Sequence, residues 1–242
     1  MIWFIMPHYL ITGASGGIGR AVCQRLSGHR LTVVARKAEA LHQLAASLPD
    51  ALAFPADLSS EAGAEALGQY LAERPPLDGV VHAVGSLLLK AAHRCSFSEW
   101  RTVMATNLDS AFLVLRLVAQ AKMRGSLVLC SSVAAQVGLN NHEAIAAAKA
   151  GIEGLVRAAA ATYASTGLRV NAIAPGLTET PLTAGILASE QLRTALSQQH
   201  PLGRIGRAED QAAAICWLLS DESAWVTGQV IGVDGGYGAI RR

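Results

Sequence analysis

The sequence predicts a single doubly wound α/β domain, with one seven-stranded parallel sheet covered by helices on both faces. Short apolar runs alternate with longer helix-period segments from end to end of the 242 residues. The runs are continuously apolar rather than alternating, as in strands buried on both faces. No repeat, low-complexity tract or linker interrupts the series, and this length is ordinary for one such domain, here spanning 1–242.

The strands are expected at His8–Thr12, Leu31–Ala35, Ala51–Phe54, Gly79–Val84, Ser126–Ser131, Leu168–Ile173 and Gln229–Val233. Between them, helical periodicity covers 17–27, 37–47, 60–73, 98–122, 141–165 and 207–220. The crossovers should be right-handed. In such sheets a ligand lies beyond the carboxyl ends of the strands, at the point where strand order reverses. The residues just after each strand are therefore where chemistry is sought.

Composition narrows the classes. Half of the residues are apolar (51%), enough for a large single core. Only 16% are charged and the net charge is +2, with no basic stripe, which argues against a nucleic-acid partner. Cys23, Cys95, Cys130 and Cys216 are scattered, without a CxxC pair or a histidine at metal-ligand spacing, so reduced, mostly buried thiols and no metal are expected. The opening run Ile2-Trp3-Phe4-Ile5-Met6 stops at Pro7, lacks a charged leader and is too short to span a bilayer. Residues 1–6 are read as disordered or as an extension ahead of a start at Met6. No other segment reads as targeting, so a cytoplasmic protein with no membrane partner is expected.

The first strand ends in Thr12-Gly13-Ala14-Ser15-Gly16-Gly17-Ile18-Gly19. Glycines there let the backbone approach a pyrophosphate, and the following helix offers free N–H groups and the positive end of its dipole. Strand, glycine turn and helix in that order make a dinucleotide site of Rossmann type. Gly13, Ser15, Gly17, Ile18 and Gly19 are its candidate contacts. An acidic residue ending the second strand would accept the ribose 2′-OH of NAD. This chain has Val34-Ala35-Arg36-Lys37 instead, and two cations suit the 2′-phosphate of NADP, so NADP is expected in preference to NAD. Asp57 could lie near the adenine, or could cap the helix that begins around Ser59.

These residues resemble the short-chain dehydrogenase/reductase family over essentially the whole chain. Thr12-Gly13-x-x-x-Gly17-x-Gly19 is similar to the family's cofactor turn, and Asn107 in Thr106-Asn107-Leu108 to its active-site asparagine. Ser131-Ser132 end the fifth strand, where the family carries its serine. Asn171-Ala172-Ile173-Ala174-Pro175-Gly176, continuing to Thr180-Pro181, resembles the loop beside the nicotinamide, and Val233-Asp234-Gly235-Gly236 the C-terminal strand. The resemblance implies cofactor contacts from Gly85, Lys149, Pro175, Gly176, Thr178 and Thr180. It also implies a small-molecule carbonyl or alcohol substrate, and a homotetramer or homodimer with the Asn107 and Lys149 helices in the interface.

The family pairs a tyrosine with a lysine four residues later. The tyrosine moves the carbonyl proton, the lysine holds the ribose and lowers the tyrosine pKa, and the serine orients the substrate oxygen. Here Lys149 and Ser132 are in place, but the tyrosine position holds Ile145, which neither donates nor accepts a hydrogen bond. Tyr163 lies fourteen residues beyond Lys149, about 21 Å along a helix at ~1.5 Å per residue, and cannot substitute. Tyr9, Tyr70 and Tyr237 lie in unsuitable segments.

His142 precedes Ile145 by three residues, which places it on the face of Lys149. A neutral imidazole there could donate N–H to a carbonyl, making His142 a candidate proton donor. In the competing reading His142 merely sits in the first helical turn, with Asn140 as cap and Glu143 completing a capping-box-like pair. His82 replaces a family asparagine and is expected to pack and hydrogen-bond. Lys90 and His93 are expected to be solvated.

The expected activity is hydride transfer between NADP(H) and a carbonyl/alcohol pair. Asn107, Ser132 and Lys149 form the retained catalytic set, His142 is the proton-donor candidate, and residues 182–200 form a substrate lid. The alternative is a degenerate NADP(H)-binding sensor or partner subunit.

Overall fold

The structure, a computed structural model, describes residues 6–240. Residues 1–5, which make up most of the expected extension, lie outside the described residues.

The first half of the chain runs β1 (His8–Thr12), α1 (Gly17–Arg25), β2 (Arg30–Ala35), α2 (Ala38–Ala46), β3 (Ala51–Pro55), α3 (Glu61–Ala72) and β4 (Gly79–His82). The second half runs α4 (Phe97–Met104), α5 (Ser110–Gln120), β5 (Gly125–Cys130), α6 (Glu143–Tyr163) and β6 (Leu168–Pro175). It closes with β7 (Thr178–Glu179), α7 (Glu190–Gln199), β8 (Gly206–Arg207), α8 (Ala208–Leu219) and β9 (Val230–Val233).

Seven strands form one sheet in the order β3-β2-β1-β4-β5-β6-β9, and every pairing in it is parallel. The order reverses between β1 and β4, so the crevice between their carboxyl ends is the ligand position of this architecture. The short strands β7 and β8 pair separately.

Adjacent strand residues point to opposite faces, and the core divides accordingly. Leu10, Val80 and Leu127 pack with Leu67 of α3, Val114 of α5 and Ile152 of α6. Ile11, Val81 and Val128 pack on the other face with Val22 of α1, Leu41 of α2 and Ile215 of α8. All of these side chains are fully buried. Each contributes roughly 1.5–3 kcal/mol, so the strand ends that carry the site are firmly held.

Three local features differ from expectation. The 98–122 helix is broken into α4 and α5 by a π-helical turn at Ala105–Asp109. Within it, Asn107 Nδ2 donates to Val103 O at 3.0 Å, taking the carbonyl one turn back that a main-chain amide would otherwise use. Helix α7 lies where only a lid was expected. Its sequence has few apolar residues to signal a helix, but Ser189 caps it by accepting from Leu192 N. At α6 the cap is His142 rather than Asn140. Asn141 takes the left-handed backbone (φ 63°) that asparagine tolerates, which shifts the helix start onward.

Phe97–Gln120 is long and apolar enough to cross a membrane by length and composition alone, and half of its most apolar window is buried inside this domain. The four cysteines are free. Cys23 and Cys130 are buried, while Cys95 and Cys216 are only partly so.

Candidate active site

A cavity of about 690 Å³ opens over the carboxyl ends of β1 and β4. At one end the turn after β1 and the exposed Arg36 and Lys37 line it. Gly13 has φ +70°, and a Cβ there would stand 2.5 Å from Ala83 O. A Cβ on Gly17 would stand 2.6 Å from Thr180 Cγ2, and one on Gly19 would collide with Gly13 O. At these three positions the turn has no room for a side chain, and it packs directly on the segments after β4 and β6. Helix α1 is preceded by Gly16 at its N-cap position, with no side-chain cap and no acidic residue in its first turn. Helices α3 and α4, by contrast, are capped by Ser60 and Ser96. The leading amides of α1 are therefore free for an anion, which a dinucleotide pyrophosphate supplies.

Asp57 also lines the cavity, but it caps no helix. Its Oδ1 accepts from Ser59 Oγ (2.7 Å) and Ser59 N (3.0 Å), while Ser60 caps α3. Those two bonds, and weakly Arg36, hold its carboxyl below the usual carboxylate range. On the opposite wall stand Pro175, Gly176, Thr178 and Thr180. Thr183 fixes that loop, donating to Thr178 O (2.6 Å) and accepting from Thr180 N (3.1 Å).

At the floor, Lys149 is 7% exposed and its Nζ donates to Cys130 O at 2.8 Å. Burial pulls the ammonium down to about 8. Gly85 keeps this floor open, since a Cβ there would stand 3.1 Å from Asn107 Oδ1 and 3.6 Å from Lys149 Nζ. Asn107 is fully buried. Ser86 N donates to its Oδ1 (3.2 Å), and its Nδ2 donates to Ser86 Oγ (2.9 Å). Ser132 Oγ accepts from Ala134 N at 3.1 Å, which leaves the hydroxyl proton for another acceptor. Its neighbour Ser131 instead donates to Glu153 Oε1 at 3.0 Å.

Beneath the floor, His82 is hydrogen-bonded at both ring nitrogens. Ser110 Oγ donates to Thr106 O (2.7 Å), so it accepts from His82 Nε2–H (3.0 Å), and Nδ1 accepts from the Thr12 hydroxyl (2.8 Å). Burial, with the charge of Lys149, drives this imidazole down to about 3. His82 thereby ties the end of β1 to the helix that carries Asn107. From the sequence His82 is expected to pack and hydrogen-bond, as it does, but its partners Thr12 and Ser110 are not legible there, nor is the Ser86–Asn107 pairing. The only signal was two hydroxyl residues, Thr106 and Ser110, flanking Asn107.

At the far end, His142, Ile145 and Lys149 all line the cavity. Ile145 is buried and packs with Val103, Ala144 and Ala148, with Leu88, Trp100 and Met104 beside them. The capping-box expectation is corrected, because Glu143 Oε1 accepts from Ala92 N (3.2 Å) and not from its own helix start. The expectation that a neutral His142 donates into the site is corrected as well. Its Nδ1 lies 2.7 Å from Asn140 O. A carbonyl only accepts, so Nδ1 carries the proton. Of the expected lid, Leu182, Thr183 and Ile186 line the cavity, whereas no residue of α7 does. Lys90, expected to be solvated, pairs with Glu99 at 2.8 Å.

A reversed-order parallel sheet with an uncapped glycine turn at its switch point defines a dinucleotide-binding protein. Residues 13–238 match the family model described as enoyl-(acyl carrier protein) reductase. The chain is 38% identical over 242 residues to cis-4-hydroxycyclohexanecarboxylate dehydrogenase of Sinomonas cyclohexanicum, covering 96% of each chain. It is 33% identical over 239 residues to 3-oxoacyl-[acyl-carrier-protein] reductase of Escherichia coli, covering 94% of this chain and 95% of that one. The solved Pseudomonas aeruginosa RhlG/NADP active-site complex superposes with a TM-score of 0.89 at 33% identity, covering 96% of each chain. The chain belongs to the short-chain dehydrogenase/reductase family, whose members are NAD(P)-dependent oxidoreductases acting on alcohol and carbonyl groups.

Proposed function

We propose that the chain is an NADP(H)-dependent oxidoreductase that interconverts an alcohol and a carbonyl, with Ile145 at the position where the family resemblance implies a proton-moving tyrosine. The observation that carries this reading is the single cavity that joins the uncapped turn at Gly13–Gly19, the cations Arg36 and Lys37, and the floor of Asn107, Ser132 and Lys149. When bound, the nicotinamide supplies a hydride donor or acceptor. Gly13, Ser15, Gly17, Ile18 and Gly19 would hold the pyrophosphate, and Arg36 with Lys37 the 2′-phosphate. Lys149, Pro175, Gly176, Thr178 and Thr180 would flank the nicotinamide ribose and ring. Ser132 directs its free hydroxyl proton at the substrate oxygen. The NADP named in the structure of the P. aeruginosa relative supports the cofactor, and the ring hydroxyl of the hydroxycyclohexanecarboxylate named for the S. cyclohexanicum relative supports an alcohol as the reacting group.

The test is purified protein with NADP⁺ and an alcohol panel, and with NADPH and a ketone panel, alongside calorimetric cofactor titration. Turnover in either direction is expected. Cofactor binding with no turnover across both panels would overturn the enzyme reading.

The burial of Ile145 among apolar side chains favours one second reading, a non-catalytic NADP(H)-binding subunit. The discriminating variant is Ile145→Tyr. Activity created in a chain that had none identifies a degenerate member. The exposed Phe97 (76%) and Phe112 (51%) on the helices that flank Asn107 support a homo-oligomer, which light scattering would measure directly.

A further inference from the structure

We infer that His142 is a catalytic residue in the oxidative direction, its Nε2 accepting the hydroxyl proton of a neutral, largely apolar secondary alcohol. The inference rests on the oxidoreductase reading above and adds the group that moves the proton and the direction it favours.

The tautomer decides the direction. Nδ1–H is committed to Asn140 O at 2.7 Å, so a neutral imidazole presents an Nε2 lone pair. Among the described residues Nε2 has no hydrogen-bond partner, and His142 lines the cavity together with Lys149 and Ser132. A lone pair takes a proton. It cannot give one to a carbonyl unless the ring is first charged.

The ring is held before any ligand arrives. The loop after β4 docks on the segment leading into α6, with Lys90 N donating to Asn141 O at 2.8 Å and Ala92 N to Glu143 Oε1 at 3.2 Å. The left-handed backbone of Asn141 turns the chain, and His142 O accepts from Ala146 N at 2.7 Å. Both flanks of the histidine are thus anchored, as a proton acceptor of fixed direction requires.

The same geometry assigns the remaining polar group. Ser132 Oγ already accepts from Ala134 N, so its proton is offered to the lone pair of the substrate oxygen while the substrate's own O–H faces Nε2. Oxidation releases a hydride from carbon to the oxidised nicotinamide and a proton from oxygen to Nε2. The electrons of the O–H bond become the second carbon–oxygen bond, and the imidazolium later returns its proton to water. Around this site the walls are Leu139, Ile145, Leu177, Leu182 and Ile186, and among the described residues Lys149 is the one lysine or arginine lining the cavity away from Arg36 and Lys37. An anionic substituent would meet no second cation there, which selects a neutral substrate.

Two measurements test this. Long-range ¹H–¹⁵N spectra of protein labelled in its seven histidines, with His142→Gln to assign the signal, should show His142 as the Nδ1–H tautomer at pH about 8. A dominant Nε2–H tautomer overturns the proposal without reference to turnover. In the second measurement, His142→Ala should lower NADP⁺ reduction with neutral secondary alcohols by about 10²-fold or more, with NADP⁺ affinity retained. Added imidazole should restore part of that rate, saturably, and leave the unmodified chain unaffected. Turnover that survives His142→Ala within about twofold, or that is lost without imidazole rescue, overturns the role of His142 alone. Absence of turnover in the unmodified chain while NADP⁺ binds overturns the oxidoreductase reading as well.

Discussion

The two ends of the cavity are built by different rules. At the Gly13–Gly19 end the backbone does the work, through glycines that leave no room for a Cβ and a helix start left without a cap. At the His142–Lys149 end the side chains do, and their roles depend on what lies behind them. His142 is set by the Asn140 carbonyl, Lys149 by the Cys130 carbonyl and Asn107 by Ser86 and Val103. A backbone site tolerates substitution around it but not in it. A side-chain site can lose one group and keep its frame, and under the proposed function that is the condition of a chain with Ile145 four residues before Lys149.

That contrast can be broken most severely at Gly13. Gly13→Ala forces a Cβ against Ala83 O in a backbone region that costs non-glycine residues about 1–3 kcal/mol. NADPH affinity should fall by up to about 100-fold, the equivalent of ~3 kcal/mol. Melting temperature should fall as well. Unchanged titration and melting curves would show that the turn is not the binding element.

The next largest effect sharpens the other end. Lys149 titrates at about 8 in the folded chain against an ordinary 10.5, because burial disfavours its charge. Below pH 8 both folded and unfolded chains carry the proton, and the folded state bears the full cost of the buried charge. As pH rises from 8 toward 10.5 the folded chain releases its proton first, so this group makes stability increase, by up to about 3 kcal/mol. Urea unfolding of the cofactor-free chain across that range should show the rise, and Lys149→Met should flatten it.

Arg36→Ala should weaken NADPH by about tenfold, the low end for a charge-assisted bond from an exposed guanidinium, and leave NADH unchanged. Equal losses for both cofactors would remove the 2′-phosphate assignment. The smallest effect is a control. Ser60→Ala deletes the cap that Gly63 N uses at α3 and should cost about 1 kcal/mol of stability without altering NADPH affinity.

The difference between the two ends also explains what could be read in advance. The strand positions, the alternation of strands with helices and the glycine turn follow from local pattern, because apolar periodicity and backbone permissiveness belong to the residues themselves. The candidates from Gly13 to Thr180 line one cavity, most of them just after the carboxyl end of a strand, with Asn107, His142 and Lys149 supplied by the π turn and the start of α6. The π turn at Asn107, the partners of His82 and the start of α6 were not readable. Each depends on a hydrogen bond whose choice of acceptor the local pattern leaves open. Glu143 had the right spacing for a capping box and was drawn instead to Ala92, fifty-one residues away in sequence.

The sequence by itself determined the parallel α/β domain and the uncapped glycine turn that ends its first strand. It also determined that an isoleucine stands at position 145. Only the tertiary structure decided which nitrogen of His142 carries a proton, because that is set by a carbonyl brought within 2.7 Å by the turn at Asn141. A residue type states what a side chain is able to do. Its neighbours in space decide which of its atoms remain free to do it.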